Sequence, residues 1–246
     1  MSKPSANKSR AYYLNTHVMV LSEADAPEPH AHLATQLTIS LNGPARWEIE
    51  GRGLTAPAVY IDGGVKHHCL STGDHLTFLF VKTGNYAFDA QQRLLRGQPY
   101  AALNDGISLS TKEHVRQHAD NPQALSAKVL RSCNFSDKAT PCFDSRIRTA
   151  LDTLEGMDVI PADAPALLCD EACLSQSRFS HLFKQETGMT LASYLAFQKL
   201  RKTYQGLLSG KNITQAAMDA GFSSPSHCAA SCTRMFGVSL RNISPQ

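Results

Sequence analysis

The spacing of apolar residues changes once along the chain, from a period of two to the period of about 3.6 that marks helices. Leu33 to Leu41 alternates and is rich in β-formers. Arg46 to Glu50 follows the turn Asn42-Gly43-Pro44, and Gly51-Arg52-Gly53 reads as another turn. Ala58-Val59-Tyr60-Ile61, the turn Asp62-Gly63-Gly64 and the run Leu76 to Val81 follow. Short strands parted by glycine-rich turns predict a sandwich or small barrel. Between about Asn85 and Pro141 the pattern weakens. Helical pieces are expected at Phe88 to Leu95, Lys112 to Ala119 and Gln123 to Ser132, and the polar run Cys133 to Pro141 reads as a linker.

From Phe143 onward the period is helical. Phe143, Ile147, Ala150, Leu151 and Leu154 share one face, and Gly156 can stop that helix. Ala164 to Cys173 is the next. Ser175 can cap a helix that turns Phe179, Leu182 and Phe183 inward and closes at Gly188. Thr190 can cap a long helix ended by Gly210, and Asn212 caps Ile213 to Ala220. Ser224 with Pro225 behind it forms a cap and first-turn pair for a last helix that buries Cys228, Cys232 and Phe236.

Two of these segments match at a fixed offset of 49 residues. Ser175 aligns with Ser224, Phe179 with Cys228, Phe183 with Cys232, Gly188 with Gly237, Thr190 with Ser239 and Leu191 with Leu240. Each copy has a short helix with small residues (Ala172; Ala216, Ala217, Ala220) ahead of a tight turn and a capped second helix. Small residues let two helices cross closely, as a helix-turn-helix requires. The second helix of such a unit enters the major groove by its N-terminal half. Two units on one rigid connecting helix reach groove segments about 34 Å apart.

Charge sharpens this picture. The net formal charge of +3 says little, but its distribution is uneven. Cys142 to Glu171 carries two basic and seven acidic residues, whereas Ala172 to the end carries eight basic and two acidic, a net of +6. A basic set of helices is a phosphate-facing surface. Seven scattered cysteines imply no disulfide framework and suit a reducing cytoplasm. No apolar run approaches the ~20 residues of a membrane helix, and the polar start MSKPSANKSR is not followed by the apolar core of a signal peptide.

Phe143 to Ile243 resembles the AraC/XylS family of transcription regulators. The resemblance rests on Ser175-x3-Phe179-x2-Leu182-Phe183-Lys184-x3-Gly188-Met189-Thr190-x3-Tyr194-Leu195, on Lys199-Leu200 and Leu207-Leu208, on Ile213-x2-Ala216-Ala217-x3-Gly221-Phe222, and on Ser226-x9-Phe236-Gly237-Val238-Ser239. It implies a domain of seven helices that reads double-stranded promoter DNA and engages RNA polymerase, as an activator or as a repressor. Carried over by position, Ser177, Arg178, Ser180 and His181 of the first unit face bases and Lys184 lies near phosphate. In the second unit Pro225, Ser226, Ala229 and Ala230 take the base-facing places, with Ser224, His227 and Arg234 at the backbone. The chain departs from the family's usual aromatics at Cys228 and Cys232, its Arg at Ala230, its Pro at Leu240, and its Arg and Ala at Lys199 and Thr203. Arg, Lys, Asn and Gln are the usual base readers, and the second helix has none at its reading positions, so sequence reading is expected to concentrate in the first unit.

In the first part of the chain, His30-x-His32-x3-Gln36-x6-Gly43 resembles the first motif of cupin barrels, with Gln in place of the usual Glu, and Gly64-x2-His67 resembles the second. By period-two alternation His30, His32 and Gln36 are expected on one strand facing inward, with His67 from a neighbour. They form the expected effector-binding set. Three imidazoles and an amide oxygen suit a divalent Zn, Ni, Fe or Mn ion; the alternative is that they line a metal-free effector pocket. A cupin-type metalloenzyme and a thiol-based redox regulator are the competing functions. Cys228 and Cys232, and likewise Cys169 and Cys173, stand at i, i+4, but zinc sites generally want four ligands, so Cys228 and Cys232 read as small buried hydrophobes. The thiol reading draws on Cys69 beside His67 and His68, and on Cys133 and Cys142 around the linker.

The sequence thus specifies an α+β chain, a cupin-like β-barrel followed by an all-α domain with two helix-turn-helix units. The expected boundaries are a disordered tail over 1–11, a sensor domain over 12–110, a helical connection and linker that dimerise the chain over 111–141, and the DNA-binding domain over 142–246. The expectation is a cytoplasmic homodimeric regulator, not an enzyme, that senses a small molecule or metal and has no membrane partner.

Overall fold

The computed structural model describes residues 9–14, 16–24, 28–103, 106–118, 120–239 and 243–244. The chain divides into two compact units at the junction of Thr140 and Pro141, with residues 243–244 belonging to the first.

In the first unit, strands β1 (Ser9–Leu14), β2 (His17–Ala24), β3 (Thr35–Ser40), β6 (Ala58–Ile61), β8 (Gly73–Phe80), β9 (Tyr100–Leu103) and β10 (Ile243–Ser244) build one sheet in the order β10-β1-β2-β8-β3-β6-β9. All its pairs are antiparallel except β1 with β10. A smaller sheet has the order β5-β4-β7, from β4 (Ala45–Ile49), β5 (Arg52–Ala56) and β7 (His67–Cys69). Helix α1 (Asn85–Ala90) runs on into a π-helical turn over Gln91–Leu95, and α2 (Gly106–His118) and α3 (Pro122–Ser132) follow.

Every residue of β3 and β6 is buried, because both faces of the large sheet are covered. One face carries Leu37, Ile39, Tyr60, Leu76, Phe78 and Phe80 against Leu125, Val129 and Leu130 of α3 and against Phe135. On the other face Val59 and Ile61 pack with Ala45, Trp47, Ile49 and Cys69 of the small sheet, so a second core lies between the two sheets. The register sets Gln36, Thr38 and Ser40 of β3 opposite Leu79, Thr77 and His75 of β8 on that same interior face.

Three expectations are corrected here. The tail was expected to reach residue 11, but β1 begins at Ser9, and Ala11 and Tyr13 are buried by alternation against β2. Residues 1–8 lie outside the described residues, as do Leu240 and Arg241. The segment 111–141 is not a free connection. Asn121 caps α3, and the apolar face of that helix, with Cys133 and Phe135 beyond it, closes the core of the first unit. Gly51-Arg52-Gly53 is not the turn: Glu50 and Gly51, both at positive φ (51° and 73°), make a two-residue hairpin of the type that suits strand twist, and β5 starts at Arg52.

The second unit contains six helices among the described residues, against the seven that the family resemblance implies: α4 (Ser145–Gly156), α5 (Ala164–Glu171), α6 (Gln176–Thr187), α7 (Leu191–Leu208), α8 (Ile213–Asp219) and α9 (Pro225–Phe236). Each expected cap is formed. The side chains of Ser175, Thr190, Asn212 and Ser224 accept from backbone N–H groups three residues on, and Gly188 and Gly237 end α6 and α9.

Candidate functional site

Gln36 lies on β3 and His67 on β7, but His30 and His32 are on no strand. The alternation expected to aim them is replaced by a single antiparallel bridge, in which His30 N–H donates to the His67 carbonyl (3.0 Å) and His67 N–H to the His30 carbonyl (2.9 Å). Gly64 N–H donates to the His32 carbonyl (2.7 Å), which fixes the second turn against the first. The result brings the four side chains together. Ring centroids are 4.5 Å apart for His30 and His67, 5.1 Å for His32 and His67, and 5.8 Å for His30 and His32. One nitrogen from each ring lies within 4.8 Å of the others.

The hydrogen bonds decide which nitrogen that is. A carbonyl can only accept, so the ring nitrogen facing it carries the proton. His30 Nδ1 faces the Glu28 carbonyl at 2.9 Å, His32 Nδ1 that of Ala34 at 3.0 Å, and His67 Nδ1 that of Val65 at 2.9 Å. All three rings therefore leave Nε2 as a lone-pair donor when neutral. Burial keeps His67 neutral, its pKa falling from 6.5 to about 4, with the neighbouring His32 and His30 adding to the shift; burial lowers His32 too. His67 Nε2 is buried and has no partner. His32 Nε2 lies 2.9 Å from Gln36 Oε1, and the oxygen and nitrogen of that amide exchange places when the ring proton sits on Nδ1. Nε2 donors held by Nδ1-to-carbonyl bonds are the pattern of metal-ligating histidine, so these residues fit a transition-metal ion. A groove of about 190 Å³ opens beside His67, between Pro29, Glu48, Lys66 and His68.

In the second unit, Phe179 and Phe183 turn inward, which leaves Ser177, Arg178, His181 and Lys184 exposed along α6, with Ser180 half-buried beside them. On α9, Cys228, Cys232 and Phe236 are buried, while Ser226, His227, Ala229, Ala230 and Arg234 are exposed and Ser224 and Pro225 half-buried. His227 is oriented by Ser223 Oγ at 3.0 Å from its Nδ1. Burial pushes the Cys232 thiol up to about 12 and raises that of Cys228, as expected of packed hydrophobes rather than reactive thiols.

Sequence reasoning missed what becomes of the basic residues between the two reading helices. Lys199 Nζ donates to the Gly221 carbonyl at 2.7 Å and Lys202 Nζ to the Met157 carbonyl. Arg201 pairs with Glu155 at 2.8 Å and Lys211 with Asp219 at 2.6 Å. Nothing local in the sequence announces these contacts, because all but the last cross between elements far apart in the chain.

A protein-family profile described as a helix-turn-helix domain matches residues 168–244. Residues 168–244 thus form a helix-turn-helix domain. No curated protein matches the chain in sequence. Among solved structures, ToxT from Vibrio cholerae O395 is similar in fold at 12% identity, over 95% of each chain, with a TM-score of 0.53. The same protein bound to (E)-4-(8-methylnaphthalen-1-yl)but-3-enoic acid is similar at 11% identity over 96% of this chain and 97% of that one, TM-score 0.51. The AraC-like transcriptional activator CuxR is 13% identical over 85% of this chain and 83% of its own, with a TM-score of 0.40. A helix-turn-helix domain that follows a β-sheet unit in the chain supports a DNA-binding transcription regulator. No helix among the described residues is long and apolar enough to cross a membrane.

Proposed function

We propose that the first unit is the sensor of this regulator, that His30, His32 and His67 with Gln36 hold its effector, and that the effector is a divalent transition-metal ion. The observation that carries the reading is the bare, buried Nε2 of His67, facing two further imidazoles whose Nδ1 protons are likewise given to backbone carbonyls. A buried polar atom without a partner costs free energy, about 1–3 kcal/mol, and a bound ion removes that cost. The ion here is a structural and regulatory ligand and turns over no substrate. The tail reads promoter DNA with α6, through Arg178 and His181 flanked by Ser177 and Ser180, and holds phosphate with Lys184, Arg234, Ser224 and His227, while Ser226 takes a base-facing place on α9. Activation through RNA polymerase and homodimerisation complete the reading.

A second reading is a small organic effector within the barrel. It is supported by Trp47 Nε1 and His75 Nδ1, both buried without partners on the interior side, and by the likeness to a ToxT fold that holds an aryl-butenoic acid.

Metal analysis and native mass spectrometry of the purified full-length protein, wild type and His32→Ala, test the metal reading and report the dimer as well. Stoichiometric metal in the wild type and its loss in His32→Ala, with DNA affinity responding to metal only in the wild type, is the expected outcome. A metal-free wild type that does not take up zinc or nickel in equilibrium dialysis overturns it.

A further inference from the structure

We infer that an ion held by His30, His32 and His67 keeps an uncompensated positive charge, and that the site therefore takes a small carboxylate as an anionic ligand, with Gln36 the residue that leaves this charge open. The inference rests on the metal reading above and adds the chemical class of its co-ligand.

All four side chains that converge are neutral: three imidazoles and one amide. Among the described residues no Asp, Glu or Cys ligand atom joins the cluster. Two acidic side chains nearby in sequence are committed elsewhere. Asp62 is held by Lys82 at 2.9 Å, and Glu50 Oε1 accepts the Lys66 backbone N–H at 2.8 Å. The metal-binding face is dry, with His32 and His67 only 5% and 3% exposed and Gln36 6%. A dication there is the largest local charge and is poorly screened. A buried charge is tolerated only when it is paired or coordinated by opposite charge. A carboxylate at Gln36 would supply that charge from within the fold; an amide supplies a dipole but no charge, so the compensating anion comes from solution.

His30, half-buried, is the most exposed member of the cluster and the side on which an anion from solution reaches it. Carboxylate oxygen is a normal ligand of the borderline ions that imidazole selects.

The test uses full-length protein loaded with cobalt(II), whose visible absorption reports ligand exchange, titrated with acetate and in parallel with acetamide, its neutral isostere. Acetate is expected to shift the spectrum to saturation and to bind at least about tenfold tighter than acetamide. Gln36→Glu should retain cobalt and weaken the acetate response by about tenfold or more, because the fold then carries its own anion. Gln36→Met, which stays neutral, should keep the response. Cobalt that binds but ignores acetate, or answers acetamide equally, overturns the inference and leaves the metal reading standing. Absence of cobalt uptake overturns both. If Gln36→Glu does not fold, as circular dichroism shows, the acetate and acetamide comparison on the wild type still decides.

Discussion

The fate of the tail's cations makes a quantitative prediction about DNA binding. Eight basic residues follow Ala172. If all met phosphate, affinity would fall with salt at a log–log slope of about −7, since each phosphate neutralised contributes about −0.9. The structure removes four of them from that count. Lys199 and Lys202 cap carbonyls, and Arg201 and Lys211 are ion-paired. Pulling Lys199 away would leave the Gly221 carbonyl without its partner, at about 1–3 kcal/mol. Arg178, Lys184 and Arg234 stay exposed, with no ion pair among the described residues. With Arg241, which lies outside the described residues, three or four cations remain for the DNA, giving a slope of about −2.7 to −3.6 and a loss of about 40- to 150-fold in affinity between 50 and 200 mM salt, where eight would give about 20,000-fold. Fluorescence anisotropy of the full-length protein on a promoter duplex, at about pH 8 where histidine is ordinarily neutral, measures the slope. A value near −3 supports the assignment. A value of about −6 or steeper shows that the tied cations reach phosphate after all, and a flat line removes the phosphate contacts altogether.

Two further outcomes follow from packing and titration. Gly221 sits at φ +88°, and a Cβ there would stand 2.5 Å from the Ile160 carbonyl oxygen, whereas Gly210 at φ +86° has open space; urea unfolding should therefore show Gly210→Ala losing about 1–2 kcal/mol from its left-handed backbone alone, and Gly221→Ala losing clearly more. Equal losses would deny the close approach. His17 is buried, with Nε2 2.7 Å from Ser126 Oγ, and burial lowers its pKa from 6.5 to about 4. The unfolded chain therefore binds a proton that the folded chain refuses, and stability present above about pH 6.5 is lost as pH falls toward 4. Since His32, His67 and His75 shift the same way, the readout is the difference: His17→Gln should lose less stability than wild type between pH 7 and pH 4.5, by up to about 3 kcal/mol, and parallel pH curves would contradict the burial argument.

What could be read from the sequence was local. Ser175, Thr190, Asn212 and Ser224 each announce a helix start through their own side chains, so the helices of the tail, their caps and the outward set Ser177, Arg178, His181 and Lys184 were legible. The histidine cluster was legible as a set of residue types but not as geometry. His30 and His32 reach it through a bridge to His67 and through turns tied by Gly64, contacts that span some 30 residues and leave no periodic trace. Strand β1 was hidden by its polar start, β5 by its glycine, and β7 by having only three residues. The role of α3 was misjudged because alternation in β3 reads as one buried and one open face, whereas Gln36, Thr38 and Ser40 are buried as fully as Leu37 and Ile39, so nothing in the pattern signals that both faces are covered.

The most direct test of the central claim, that this chain reads DNA sequence and does so chiefly with α6, is a binding-site selection from random duplexes with the full-length wild type, Arg178→Ala and Ser226→Ala. A bidentate arginine contact to guanine is worth about 1–3 kcal/mol of discrimination, and the exposed α9 positions offer Ser226 and two alanines. The account predicts an enriched motif for the wild type, loss of preference at one or two of its base pairs for Arg178→Ala, and a nearly unchanged motif for Ser226→Ala. No enrichment by the wild type, or a motif reshaped more by Ser226→Ala than by Arg178→Ala, would contradict it.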